Sequence, residues 1–253
     1  MAKTPALELR GIYKSFGSVR ALADCDFEVR EGEVMALVGD NGAGKSTLVK
    51  CAAGIYTPDA GEIRFDGSPV HMQSPKEAAR LGIEVVYQDL ALCDNLDVVQ
   101  NMYLGRELHD RLQLLDEPQM RRATEETLAD LGVTTIDSVR QRVATLSGGQ
   151  RQSVAVARAV MWNSRVVILD EPTAALGVVQ TELVLTLVNR LAEQGLAVVL
   201  ISHNLNDVFE VATRITVLRL GGTVGVYERA ATSQEEIVRA ITSGAQSREI
   251  QHA

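Results

Sequence analysis

The sequence predicts an α/β fold with a mainly parallel sheet, an antiparallel β subdomain and an inserted helical subdomain. Three observations carry that expectation. VMALV (34–38), VVIL (166–169) and AVVLI (197–201) are unbroken apolar runs, the pattern of strands buried on both faces. In CDFEVREG, Cys25, Phe27 and Val29 alternate with charged neighbours, and EIRFDG repeats the alternation with Ile63 and Phe65, as in strands with one solvated face. Between roughly residues 89 and 160 the strand pattern vanishes and helical spacing takes over. The expected division is a core of residues 1–88 and 161–243, a helical subdomain of 89–160 and a flexible tail of 244–253.

The helices are punctuated locally. SPKEAARLG offers Ser74 as N-cap, Pro75 in the first turn, Glu77 to close a capping box and Gly82 as terminator. TELVLTLVNRLAEQG places Leu183, Leu187, Val188 and Leu191 on one expected face and stops at Gly195. SQEEIVRAITSG repeats the capping box with Ser233 and Glu236, and the polar tail after Gly244 is expected to fray.

Composition narrows the function classes. At 253 residues, 46% hydrophobic and 23% charged, the chain can bury a core of useful size. A net charge of −8 argues against gripping nucleic acid, which calls for a basic face. No apolar run approaches the roughly 20 residues of a membrane-spanning helix, and MAKTPALELRG has neither the apolar segment nor the cleavage site of a signal peptide. Cys25, Cys51 and Cys93 share no CxxC spacing, so free thiols in the cytoplasm are expected.

The strongest chemical signal is GDNGAGKST, which matches G-x-x-x-x-G-K-[ST] between the apolar strand VMALV and the helical segment TLVKCAAG. Gly39, Gly42 and Gly44, with Asn41 and Ala43 between them, let the backbone wrap an anion at a helix N-terminus. Lys45 supplies a point charge for terminal phosphates, the Ser46 hydroxyl is a Mg²⁺ ligand, and Thr47 completes the nucleotide-binding run. This is the core of a P-loop NTPase. VVILDEPTAALG then sets Asp170 and Glu171 side by side behind a buried strand. Asp170 suits the Mg²⁺ shell, and Glu171 suits a base that orients and polarises the attacking water. Adjacent acids in a dry site repel unless a cation or a shared proton compensates.

LSGGQRQ (146–152) resembles the signature of ATP-binding-cassette (ABC) ATPases, and the remaining motifs of that family fall in order: Gln88 in VVYQD, the signature, Asp170–Glu171, and His203 in LISHN. The resemblance covers nearly the whole chain. It implies that Gln88 reaches the metal and the attacking water and couples the site to a membrane partner, and that His203 contacts the γ-phosphate. Phe16 in YKSFG matches the aromatic on which adenine stacks, with Tyr13 as its rival. Ser147, Gly148, Gly149 and Gln150 would present donors at a helix N-terminus to the ATP of a second subunit. The implied assembly is a head-to-tail homodimer that sandwiches two ATP molecules and sits on a separate membrane permease. Its place is the cytoplasmic face of the inner membrane.

Gly177 departs from the family pattern, since many members carry Asp there (SALD) where this chain reads TAALG. TAALG and NLDVVQN…LGRE resemble the carbohydrate-importer branch. That branch implies sugar uptake, with a sugar-binding protein delivering the cargo to the permease. Leu90, Leu92 and Leu96, just after Gln88, are expected to be exposed and to grip that permease, or else to pack the helical subdomain. The alternatives are a cassette serving another substrate and a non-transport ABC ATPase. The latter usually shows tandem cassettes, a long coiled-coil insertion or a basic surface. A GTPase is disfavoured because no N-K-x-D motif occurs.

Overall fold

In the computed structural model, which describes residues 4–244, the strands form two sheets. The first is antiparallel, in the order β2 (Val19–Val29), β1 (Leu7–Phe16), β4 (Ala60–Phe65), β5 (Ser68–Val70). The second is six-stranded: β10 (Gly222–Glu228), β9 (Arg214–Arg219), β3 (Val34–Val38), β8 (Ala197–Ile201), β7 (Val166–Asp170), β6 (Ile83–Val86). From β9 to β6 every neighbouring pair is parallel, and β10 returns antiparallel on the edge.

The unbroken apolar runs take the inner places of the second sheet, and their alternation sorts the side chains into two cores. Met35, Leu37, Ile168, Val199 and Ile201 face the antiparallel sheet and the inner side of α1 (Lys45–Ala52). Val34, Val167, Leu169, Val198 and Leu200 face α5 (Gly148–Val160) and α6 (Val178–Glu193). Burying each such side chain contributes about 1.5–3 kcal/mol, so both faces are held and the register has no freedom to slip by one residue. Between β6 and β7 lie α3 (Val98–Tyr103), α4 (Glu117–Asp130) and α5, with no regular strand. α2 (Pro75–Leu81) precedes β6, and α7 (Leu205–Val211) and α8 (Gln234–Ser243) cover the sheet beside β9.

Local expectations meet the structure unevenly. The Ser233–Glu236 capping box forms, and Gly244 ends α8 in the left-handed region; the rest of the expected tail lies outside the described residues. At α2, Pro75 and the left-handed Gly82 stand where expected, but the Ser74 side chain caps nothing. Glu77 reaches one residue further back and accepts from the Gln73 amide at 2.8 Å, while the Ser74 carbonyl takes the first helical bond. On α6 the buried stripe is Val184, Leu187, Val188 and Leu191, with Leu185 beside it. Leu183 is exposed, a quarter-turn off that stripe.

The order of the parallel strands decides what meets at their carboxyl ends, where ligands of open α/β sheets bind. β3, β8, β7 and β6 are consecutive neighbours. The segments that leave them carry Gly39, His203, Glu171 and Gln88. Four motifs far apart in the chain thus share one edge.

Candidate active site

The phosphate loop leaves β3 at Gly39 and enters α1 at Lys45. Two glycines in it have no substitute. Gly39 has φ +154°, and a Cβ there would lie 2.3 Å from the Leu218 carbonyl oxygen on β9. Gly44 has φ +106°, and its Cβ would meet the Ala21 carbonyl at 2.8 Å. The loop is therefore pressed between the two sheets, and the Gly221 amide donates to the Ala43 carbonyl at 3.0 Å. Lys45 folds back over the loop, and its Nζ donates to the carbonyls of Gly39 (2.6 Å) and Asp40 (3.0 Å). Burial pulls its ammonium below the usual lysine range, against the opposing charges of Glu171, Asp40 and Asp170. Asn41, Gly42 and Ser46 are exposed at the mouth, and Thr47 is half-buried behind them.

Asp170 is the last residue of β7. Burial raises its carboxyl above the ordinary range, repulsion from Glu171 adds to that, and Lys45 opposes both. Glu171 stands in the left-handed region at φ +52°, a conformation that costs a non-glycine residue about 1–2 kcal/mol. Its amide donates to the Ile201 carbonyl of β8 at 3.0 Å, and its Oε2 meets Nδ1 of His203 at 2.7 Å. The Glu171 side chain is 17% exposed and that of His203 is 74%, so the carboxylate is sheltered and the imidazole looks outward. Strained backbone of this kind persists only where the surroundings over-determine it, and it clusters at functional sites. Gln88 is exposed beyond β6, after Tyr87, whose hydroxyl burial and the Asp170 charge push above the usual tyrosine range.

Phe16 closes β1 and is 44% exposed. Its ring meets the edge of Tyr56 at 5.0 Å, and Lys14 Nζ lies 5.7 Å from its centre. Tyr56 lies four residues past the end of α1, its amide bonded to the Lys50 carbonyl of that helix, so Phe16 borders the phosphate-loop helix. Tyr13 is also exposed, and its carbonyl accepts from the amide of Asp59, the residue before β4.

The signature builds a second helix start. Ser147 and Gln150 form a capping box on α5, with Ser147 Oγ accepting from the Gln150 amide at 3.3 Å and Gln150 Oε1 from the Ser147 amide at 2.8 Å. Ser147 and Gly148 are exposed, and Gly149 is buried. A Cβ on Gly148 would lie 2.8 Å from Leu176, and one on Gly149 would lie 3.2 Å from Gln180. The signature is thus packed on the turn that follows Glu171 and on the first turn of α6. Gly177, in that turn, has ordinary φ (−76°) and open space around it; nothing in the fold requires glycine there.

Three residues of the site carry no motif of their own: Thr173, Asn204 and Asp207. Buried Asp207 accepts from Thr173 Oγ1 at 2.6 Å and from Asn204 Nδ2 at 2.7 Å. Their nearness to Glu171 and His203 in sequence is the only signal that could have drawn attention to them.

Comparison with known proteins agrees with this geometry. The family model described as ABC transporter matches residues 22–174. A fructose import ATP-binding protein of Rhizobium meliloti is 50% identical over 227 residues, 87% of each chain. A xylose/arabinose import ATP-binding protein of Sulfolobus acidocaldarius is 44% identical over 237 residues, 94% of each. A ribose import ATP-binding protein of Rubrobacter xylanophilus is 46% identical over 235 residues, and the match spans 46% of that longer protein. Among solved structures, the ADP conformation of an ATP-binding cassette of an ABC transporter superposes with a TM-score of 0.80 at 24% identity, over 94% of this chain and 95% of the other. The dimeric structure of a bacterial ABC transporter cassette gives 0.74 at 25% identity, over 88% and 98%. A phosphate loop, a paired acid and histidine, and an outward signature on one such frame make this chain a member of the ABC transporter family of ATP-binding cassettes.

Proposed function

We propose that the chain is the ATP-hydrolysing subunit that powers import of a sugar through a separate membrane permease. The observation that carries hydrolysis is the 2.7 Å contact between Glu171 and His203 beside the phosphate loop. The sugar rests on the relatives, whose names are fructose, xylose/arabinose and ribose import proteins.

The residues divide the work. Loop amides from Gly39 to Gly44 and the ammonium of Lys45 bind the phosphates, Lys45 exchanging its carbonyl partners for phosphate oxygens. Phe16 stacks on the adenine, a contact of roughly 1–3 kcal/mol. Ser46 and Asp170, with Gln88, would hold Mg²⁺; the burial-raised carboxyl of Asp170 fits a group awaiting a cation. The metal supplies neutralisation of the phosphate charge. Glu171 accepts the proton of the attacking water, and His203 fixes the orientation of that carboxylate and faces the terminal phosphate. Ser147, Gly148, Gly149 and Gln150 serve the ATP of a second copy, which makes a head-to-tail dimer the working unit.

Among the described residues no helix is long and apolar enough to cross a membrane; in this reading the work is passed to the permease. Leu90 and Leu92 are half-buried against the helical core, and Leu96 is half-buried too. Leu90 and Leu92 thus pack the helical subdomain, the second of the two readings the sequence left open, and none of the three is fully exposed. The better seat is the open cavity of about 190 Å³ beside them, lined by Glu84, Tyr87, Leu104, Arg106, Arg158 and Trp162. Arg158 donates to the carbonyls of Leu90 and Ala91 and so ties this groove to the segment leaving Gln88. A short helix of the permease suits such a groove, and the cytoplasmic face of the membrane is the working place that goes with this reading.

The test is a deletion strain. Uptake of one sugar or a small related set should be lost, restored by the wild-type gene and not by Leu104→Glu. The purified Leu104→Glu chain should keep its basal ATPase and lose membrane association. A strain that takes up every sugar but fails on an amino acid, a metal or a lipid would overturn the sugar assignment and favour a cassette for another substrate.

A further inference from the structure

Asp207 is 5% exposed, and among the described residues no lysine or arginine pairs with it. A carboxylate so buried is tolerated only when its oxygens are satisfied. One oxygen takes the hydroxyl of Thr173 at 2.6 Å, and the other takes the amide of Asn204 at 2.7 Å. Thr173 is two residues past Glu171, and Asn204 is the residue after His203. Asn204 is held from its other atoms as well: its amide donates to Ser202 Oγ at 3.0 Å, and its Oδ1 accepts from the Asn206 amide at 3.1 Å.

We infer that Asp207 is a positioning residue for ATP hydrolysis: it clamps the Glu171 loop to the His203 loop and so sets the Glu171–His203 contact. The geometry needs such a part. Glu171 is in a strained backbone conformation and its imidazole partner is largely exposed; the Glu171 amide is tied to the Ile201 carbonyl at the strand end, and Asp207 adds a side-chain tie between the loops beyond it. A hydrogen bond made by a buried carboxylate is stronger than a neutral one, and here both of them end on the two loops in question.

This rests on the reading of Glu171 as the base, so Glu171→Gln is measured beside the clamp variants on the full-length purified chain. Asp207→Asn leaves an acceptor for one loop and turns an NH₂ toward the donor of the other. Thr173→Val removes one bond at constant shape and decides the matter if Asp207→Asn fails to fold. Both should lower kcat about tenfold or more, the scale of a misplaced catalytic group, with KM and the affinity for a fluorescent ATP analogue within about twofold of wild type. The double variant should be no slower than Asp207→Asn alone, since both changes break one contact. A folded Thr173→Val chain with wild-type kcat, or a kcat that falls only in proportion to nucleotide-binding capacity, overturns the clamp. Glu171→Gln at near wild-type rate would instead overturn the base on which the clamp acts.

Discussion

Two helices of this molecule begin at glycine-rich turns, α1 at Lys45 and α5 at Gly148, and their surroundings differ. At α1 the glycines are enclosed by backbone: Gly39 by Leu218 and Gly44 by Ala21. Lys45 is folded over the loop, and the charges of Asp170 and Glu171 act on it. At α5 Ser147 and Gly148 face solvent, no acid lies beside them in sequence, and the glycines lean on the side chains of Leu176 and Gln180. Both helix ends offer amide donors and a positive dipole end. Only the first has a lysine and an acid pair of its own chain around it. The second is a donor set facing outward, which is what a site completed by another copy requires.

The largest effect should come from breaking the enclosed half. Gly39→Ala forces a Cβ into the Leu218 carbonyl at a backbone angle alanine avoids, so isothermal titration should find ATP binding lost. Chemical denaturation should show a loss of roughly 2 kcal/mol or more. The outward half should fail differently. Ser147→Arg should keep ATP binding yet abolish hydrolysis, and mixing it with the inactive Lys45→Ala chain should restore a measurable part of the activity. One site in each mixed dimer then has both halves intact. Absence of rescue, with activity per chain independent of concentration, would make the monomer self-sufficient.

A smaller effect sharpens the contrast between required and free glycines. Gly177 is the N-terminal residue before α6, with ordinary φ and no neighbour within reach. Gly177→Asp should fold normally and raise stability by a few tenths of a kcal/mol, as aspartate caps a helix slightly better than glycine. A melting temperature several degrees lower would show that the open space is filled in the working state. The smallest effect concerns the thiols. Burial pushes Cys25 and Cys51 up to about 11, so little thiolate exists at neutral pH. Iodoacetamide should label Cys93 first, read by peptide mass spectrometry.

Much of the fold is legible because its signals are local. The runs at 34–38, 166–169 and 197–201 became strands buried on both faces, since an alternating pattern is useless to a strand without a solvated side. The left-handed turns at Gly82 and Gly244 are likewise local. The errors arose where a side chain chose between partners at similar range. Glu77 caps the Gln73 amide in place of its own box, and Leu183 lost its place on α6 because the stripe is centred on Val184 and Val188.

The sequence by itself determined the phosphate loop, the acid pair behind β7, the signature and their order along the chain. These depend on short spacings, and a glycine angle or a strand end is settled within a few residues. Only the tertiary structure decided that β3, β8, β7 and β6 lie side by side and bring the four motifs to one edge. It also decided that Glu171 meets His203, that Gly148 is pressed on Leu176 and that buried Asp207 ties Thr173 to Asn204. The physical reason is the same in each case. Such contacts join residues tens of positions apart, and their distances are set by packing of the whole sheet and its helices, which no local spacing encodes.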